Sequence, residues 1–165
     1  MREITVKLYQ YSELSEDAKE KARQWFREGY NGSFEWEGIQ EDAENVGLEI
    51  HELDQHRTNR GEFTTSALEC AEKILKDHGK DCEIYKMVEK YVGELRRIAK
   101  LEDEEEYSPV LNEEKENTEH EFLHNLLEDY RIMLDHNIEY QNSDEVVVEN
   151  IEANEYEFTE NGKRA

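Results

Sequence analysis

The sequence predicts a single α+β domain over residues 1–165, in which a small sheet of about three strands is covered by about six helices. Three observations predict this class. Short segments of alternating apolar and polar residues lie near both ends of the chain, and the segments between them repeat apolar residues at helical spacing. Hydrophobic residues make up 36% of the 165 residues, which is enough for one modest core.

Three segments have the period-two pattern of half-buried strands, and they cover residues 3–10, 48–50 and 156–158. Their apolar residues are Ile4, Val6 and Leu8 in the first, Leu48 and Ile50 in the second, and Tyr156 and Phe158 in the third. We expect the first and last strands to pair, which would bring the termini together. The polar residues 54–61 predict a loop.

Six helices are predicted from polar residues suited to cap a helix start and from glycines suited to end one. The expected starts are Ser15, Ser33, Thr64 or Thr65, Asp81, Thr118 and Ser143. The first three helices would end at Gly29, Gly47 and Gly79. The fifth, from Thr118 to about Tyr140, is the longest, and it carries acidic residues opposite an apolar stripe.

Residues 102–117 interrupt the helical pattern. They contain Pro109, the one proline of the chain, and the run Glu-Asp-Glu-Glu-Glu at 102–106. Like charges in series resist packing, so this stretch predicts a solvated loop or a disordered insert.

The charge balance excludes some classes of partner. The chain has 43 acidic and 20 basic residues, a net charge of −23, and residues 101–165 alone hold 21 acidic and 4 basic residues, a net of −17. Such a surface repels phosphate backbones and anionic lipids, so direct binding to nucleic acid or membrane is not expected. A basic protein surface would be attracted to it. The alternative is that the acidity serves only solubility.

The expected location is the cytoplasm. The N-terminus lacks the apolar run of a signal peptide, and no apolar stretch approaches the ~20 residues of a membrane span. The two cysteines, Cys70 and Cys82, do not make a disulfide framework and suit a reducing compartment.

Two acidic features are candidate contact sites for a protein partner. Glu121, Glu128 and Asp135 recur every seven residues, which separates neighbours by ~10.5 Å along a helix. A rigid row of this kind would compete for a basic nucleic-acid groove as a decoy, although a simply solvated helix face is the competing interpretation. The predicted partner-binding residues are Glu121, Glu128, Asp135, Glu102, Asp103, Glu104, Glu105 and Glu106.

The string His120-Glu121-Phe122-Leu123-His124 matches the H-E-x-x-H pattern of zinc hydrolases. Histidines four residues apart share a helix face and are suited to bind zinc, with Glu121 activating a water. A third ligand is also needed, and Glu139 and Glu145 are two of many candidate carboxylates. We favour the interpretation that both histidines flank the apolar stripe, so no catalytic residue, metal or cofactor is predicted.

Four stretches of the chain resemble a group of small, largely uncharacterised phage and prophage proteins. They are Ile-Thr-Val-Lys-Leu-Tyr-Gln-Tyr-Ser-Glu-Leu (4–14) with the residues up to Trp25, Glu-Trp-Glu-Gly-Ile-Gln-Glu-Asp-Ala (35–43), Leu-Leu-Glu-Asp-Tyr-Arg-Ile-Met-Leu (126–134) and Ile-Glu-Ala-Asn-Glu-Tyr-Glu-Phe-Thr-Glu-Asn-Gly-Lys (151–163). The resemblance implies a phage-encoded protein made in the bacterial cytoplasm, and it supplies no catalytic residues. Some members of the group are labelled as antitoxins.

The leading functional hypothesis is therefore a non-enzymatic binding protein that inhibits or modulates a bacterial host protein with a basic surface, as an anti-defence or host-takeover factor. One alternative is an antitoxin-like partner of a toxin. The other is a zinc-dependent hydrolase that uses the 120–124 string.

Overall fold

A computed structural model of the protein describes residues 1–54, 58–104 and 108–165. Within these ranges the fold is α+β with six α-helices, which confirms the predicted fold class. The helices are α1 (Glu16–Glu28), α2 (Ser33–Asn45), α3 (Ala67–Asp77), α4 (Glu83–Glu104), α5 (Pro109–Gln141) and α6 (Asp144–Ala153). The strands are β1 (Tyr9–Gln10), β2 (Leu48–Glu52), β3 (Arg60–Phe63) and β4 (Glu157–Phe158).

The strands form two separate antiparallel pairs, where the sequence predicted one sheet of about three strands. β1 pairs with β4, with Tyr9 opposite Phe158, so the predicted pairing of the first and last strands is confirmed. β2 pairs with β3, with Leu48 opposite Phe63. The prediction of a loop over 54–61 missed the start of β3, because that strand is held by its pairing to β2 and has little apolar alternation of its own.

The first predicted strand is wrong over most of its length, because β1 covers only Tyr9–Gln10. The preceding residues have no regular structure, and Ile4, Val6 and Leu8 are 84%, 60% and 45% exposed. The partner strand β4 is only two residues long, and it is followed by the turn in which the Gly162 N–H donates to the Thr159 carbonyl at 2.9 Å. A longer β1 therefore has no partner in this pair.

Serine side chains cap the starts of two helices, one of which was predicted at the correct residue. The Ala18 N–H donates to Ser15 Oγ at 3.2 Å at the start of α1, as the sequence predicted. The start of α3 lies slightly beyond the predicted threonines, because Ser66 Oγ accepts from the Glu69 N–H at 3.1 Å.

The prediction of a loop or disordered insert over 102–117 is wrong for residues 102–104, which end α4, and for 109–117, which begin α5. Residues 105–107 lie outside the described residues. Proline is tolerated in the first turn of a helix, and Ser108 Oγ accepts the Leu111 N–H at 3.3 Å just before α5. Cross-helix ion pairs such as Lys115 with Glu102, at 3.1 Å, offset part of the repulsion between the carboxylates.

The chain forms two compact units. One comprises residues 1–33 and 136–165, and the other residues 34–135. The core of the first unit brings β1, α1, α6 and β4 together, and its buried residues are Tyr11, Leu14, Ala18, Ala22, Val147, Ile151 and Phe158. The core of the second unit is centred on α3, α4 and α5, with Ile74, Ile84, Val88, Ile98, Phe122, Leu126 and Tyr130 fully buried. Among the described residues, no helix has both the length and the apolarity needed to cross a membrane.

Candidate functional site

The predicted acidic row lies on α5, but its charge is partly neutralised. Glu121 is exposed, whereas Glu128 and Asp135 are half-buried on either side of Arg131. The Arg131 guanidinium donates to Asp135 Oδ2 at 2.7 Å and forms a closer ion pair with Glu128. Hydrogen bonding from Arg131 is the main cause that lowers the pKa of Glu128, with a smaller contribution from Asn59. Two of the three carboxylates in the row therefore share a cation of their own helix.

The signal for this neutralisation was present in the sequence. Arg131 lies three residues after Glu128 and four before Asp135, and side chains at these spacings are neighbours on a helix surface. The remaining member of the row, Glu121, accepts a hydrogen bond from Tyr91 Oη of α4 at 3.1 Å. All three carboxylates of the row are therefore already paired within the protein, two with Arg131 and one with the Tyr91 hydroxyl.

A second group of carboxylates lies where the end of α4 meets the first turns of α5. We define the acidic end as six residues of these two helices, namely Glu102, Asp103, Glu104, Glu113, Glu116 and Glu119. Lys115 Nζ lies 3.1 Å from a Glu102 carboxylate oxygen, which places the two helices side by side here. Within the described ranges, no ion pair joins the other five carboxylates to a Lys or Arg. Glu105 and Glu106, which the sequence also nominated, lie outside the described residues.

One carboxylate of the acidic end, that of Glu119, lies where its ionisation is disfavoured. The pKa of Glu119 is raised, first by burial and then by the negative charges of Glu102 and Glu116, while Lys115 opposes the rise. A raised pKa means that the carboxylate is held in an environment that disfavours its charge. A cation brought to this surface would relieve that unfavourable interaction, so the acidic end is suited to bind a basic group.

Helix α2 carries a third acidic row, which the sequence analysis did not single out. Glu37, Glu41 and Glu44 are exposed, and their spacing of four and three residues places them on one helix face. In the part of the chain that the structure describes, none of them forms an ion pair. The sequence contained a signal for this row, because residues spaced three and four apart share one face of a helix.

The two histidines of the H-E-x-x-H string line one groove of about 500 Å³ between α5 and the β2–β3 hairpin. The hairpin contributes His51 and Glu62 to the same groove. Phe122, between the two histidines in sequence, is fully buried and stacks on Phe63 of β3 with a centroid distance of 5.5 Å. The string therefore combines two exposed imidazoles with a core aromatic residue.

The exposed face of the hairpin also holds a set of metal-ligating groups. Glu49 and Glu62 are directly opposite each other across β2 and β3, and His51 Nε2 lies 3.4 Å from Glu62 Oε1. The potential ligand atoms of Glu49, His51 and Glu62 all lie within 4.8 Å of one another. Like charges directly opposite on a sheet are destabilising, so a cation between them would be favourable.

The nominated third ligands of the zinc hypothesis lie in a different unit from the string. Glu139 and Glu145 belong to the unit of residues 1–33 and 136–165, and His120 and His124 to the unit of residues 34–135. The third donor near these histidines is instead His51 or Glu62, which the sequence could not identify because the strand pairing that positions them is long-range.

The Cys70 thiol and the Tyr130 hydroxyl are both buried, and we assign them a role in stability instead of catalysis. Cys70 is buried, and burial raises the pKa of its thiol to about 12, which keeps it protonated at neutral pH. Tyr130 Oη donates to Asp42 Oδ2 at 2.8 Å, and His78 Nε2 lies 3.3 Å from the same oxygen. This polar network links α2, the end of α3 and α5, so we assign it to stability.

No protein-family model matches the chain, and comparisons with curated proteins and with solved structures found no match either. The functional assignment therefore depends on the charge distribution and the geometry described above.

Proposed function

We propose that this protein is a non-enzymatic binding protein that inhibits or modulates a bacterial host protein by covering a basic surface on it. The observation that carries the proposal is the acidic end, where the pKa of Glu119 is raised first by burial and then by the negative charges of Glu102 and Glu116. The sequence resemblance to phage and prophage proteins supports a host protein as the target, reached in the bacterial cytoplasm.

The acidic end suits this role because its charges act together. Carboxylates one helical turn apart are separated by ~5.4 Å along the axis, which is below the Debye length of about 8 Å at physiological salt. Their fields therefore reinforce one another instead of being screened separately. A basic groove that normally binds nucleic acid is one surface that such a group would occupy, so nucleic-acid mimicry is one mode of inhibition within the proposal.

Internal pairing within the predicted row of Glu121, Glu128 and Asp135 supports a centre of contact nearer the start of α5. The row of Glu121, Glu128 and Asp135 is partly satisfied by Arg131 and Tyr91, so a partner would have to compete with these groups for it. At the acidic end, only Glu102 forms an ion pair with a described Lys or Arg, so a partner would compete with fewer of the protein's own cations. We therefore place the main contact at the acidic end and assign Glu121 a flanking role.

The decisive experiment compares two triple charge reversals with the same change in net charge. The test variant is Glu113→Lys, Glu116→Lys and Glu119→Lys at the acidic end. The matched control is Glu37→Lys, Glu41→Lys and Glu44→Lys on α2. We expect the test variant to lose a bound host protein by about tenfold or more, because each exposed attractive pair contributes up to about 1 kcal/mol and reversal adds repulsion. The control should retain the partner.

The measurement is a pull-down from bacterial lysate with quantitative mass spectrometry, repeated at low and high salt, with circular dichroism to confirm that both variants are folded. Loss of the partner in both variants would show that only net charge matters. If the wild type and the test variant bound equal amounts of the host protein, the acidic end would not be its binding site.

A metal-dependent function, including zinc-dependent hydrolysis, is the second candidate. It is favoured by the presence of His51, His120, His124 and Glu62 in one groove. The chemistry of these donors, imidazole nitrogen with carboxylate oxygen, suits zinc and similar divalent ions.

This second candidate predicts that one equivalent of Co²⁺ gives visible absorption bands that disappear in the double variant His120→Ala and His124→Ala. The bands should persist in His136→Ala, which changes an exposed histidine of the other unit. Metal analysis of protein purified without chelator provides a second measurement. A metal content well below one equivalent, together with no Co²⁺ bands, would exclude this candidate.

A further inference from the structure

The N-terminal segment, residues 2–8, precedes β1 and is not paired with β4. Tyr9 is opposite Phe158 at the end of β4, and Thr159 begins a turn. Residues 2–8 therefore extend past the two-stranded pair with no strand of their own unit beside them. A segment that has the alternation of a strand and no partner in its own unit is suited to pair with another chain.

This segment has one apolar face and one polar face. Ile4, Val6 and Leu8 alternate with Glu3, Thr5 and Lys7, and the three aliphatic side chains are 84%, 60% and 45% exposed. Large aliphatic side chains exposed at every second position of a segment are uncommon on a protein that stays monomeric, because pairing as a ribbon would bury them together on one face. The pattern indicates a surface that is covered in the assembled protein.

The segment is complementary to itself in the antiparallel direction. When Thr5 faces Thr5 of a second copy, Glu3 faces Lys7 and Ile4 faces Val6, and each of these pairs occurs twice. A register shifted by two residues would place Glu3 opposite Tyr9 and lose both charge pairs. A shift by one residue would place apolar side chains opposite polar ones.

The charge of the segment also favours a second copy as its partner. The chain carries a net charge of −23, so association of two copies must avoid its acidic surfaces. Residues 1–33 hold six acidic and six basic side chains, and residues 2–8 contain Arg2 and Lys7 against Glu3. Two such segments can therefore meet without strong local repulsion.

We propose that residues 2–8 of two copies form an antiparallel β-ribbon, with Thr5 on the two-fold axis, and that this ribbon makes the protein a homodimer. The contact is isologous, so each copy contributes the same surface and the assembly closes at two. The proposal does not depend on the acidic end or on the function assigned to it.

The register is tested by disulfide trapping in a Cys82→Ser background, which removes the exposed cysteine and leaves the buried Cys70. Directly opposed residues in an antiparallel pair have Cα atoms about 4.5–5.5 Å apart, which a disulfide can span. We expect Thr5→Cys to form a covalent dimer on mild oxidation. Lys7→Cys is the matched control, because the two copies of residue 7 would lie about 13 Å apart along the ribbon. Equal trapping of the two variants, or trapping of neither, would overturn the proposed register.

The dimer itself is tested by light scattering on a sizing column over a range of concentrations. We expect twice the mass of one chain for the wild type and a single-chain mass for Val6→Lys. Lys7→Glu should weaken the dimer at least tenfold, and the double variant Glu3→Lys with Lys7→Glu should restore it because both charge pairs form again. Lys76→Glu, at an exposed position of α3 in the other unit, is the control for net charge. A monomeric wild type, or a dimer that Val6→Lys leaves intact, would contradict the proposal.

Discussion

Phe122→Ala is expected to lower the free energy of unfolding by about 3–5 kcal/mol, the typical loss when a fully buried phenylalanine becomes alanine. Phe122 has no exposed surface, and its ring stacks on Phe63 of β3 and lies 5.5 Å from the Tyr91 ring of α4. The substitution removes both aromatic contacts and leaves a cavity where α5 meets the hairpin and α4.

The measurement is urea unfolding followed by far-UV circular dichroism, with Phe34→Ala as the matched control. Phe34 is 82% exposed, so its removal should change the free energy of unfolding by no more than about 0.5 kcal/mol. If Phe122→Ala and Phe34→Ala were equally stable, Phe122 would not be a core residue. Core packing of Phe122 would then no longer explain the residues of the H-E-x-x-H string.

Gly162→Ala is expected to have the next largest effect, a loss of about 3 kcal/mol, from two causes that act together. Gly162 has φ of +85°, a conformation that residues with a Cβ adopt unfavourably. A Cβ at this position would also lie 2.1 Å from the Ala18 carbonyl oxygen of α1, so the backbone of the turn would have to move. The turn after β4 would then separate from α1.

Thermal unfolding compared between Gly162→Ala and Gly93→Ala measures this effect. Gly93 lies in α4 with open space around the position of a Cβ, so alanine there should raise the free energy of unfolding by up to about 1 kcal/mol through helix propensity. The two glycine-to-alanine changes are thus expected to have opposite signs. A Gly162→Ala protein as stable as the wild type would show that the turn does not pack on α1.

The helices could be predicted closely because their signals are local. Ser15 and Gly29 bracket α1 in the sequence, and in the structure they are its two caps. The extent of α5 was underestimated because like charges and a proline were interpreted as breaking the helix. Ser108 and the cross-helix pair of Lys115 with Glu102 compensate for them.

The strands could be predicted only in part because a strand depends on its partner. β2 was found from its own apolar residues, whereas β3 is a strand because β2 lies beside it. The first strand shows the opposite case, since residues 3–8 have the pattern of a strand and lack a partner within their unit. A period-two pattern indicates that a segment is able to form a strand, but it does not indicate whether a partner strand is present.

By itself the sequence determined the α+β class, the helical faces and the strong negative charge, because composition and short-range periodicity specify these properties. Only the tertiary structure decided which carboxylates remain available. Arg131 neutralises part of the predicted row, and the end of α4 meets α5 to form the acidic end. The physical reason is that the effect of a charge depends on the neighbours that folding brings within a few ångströms, and many of these are distant in sequence.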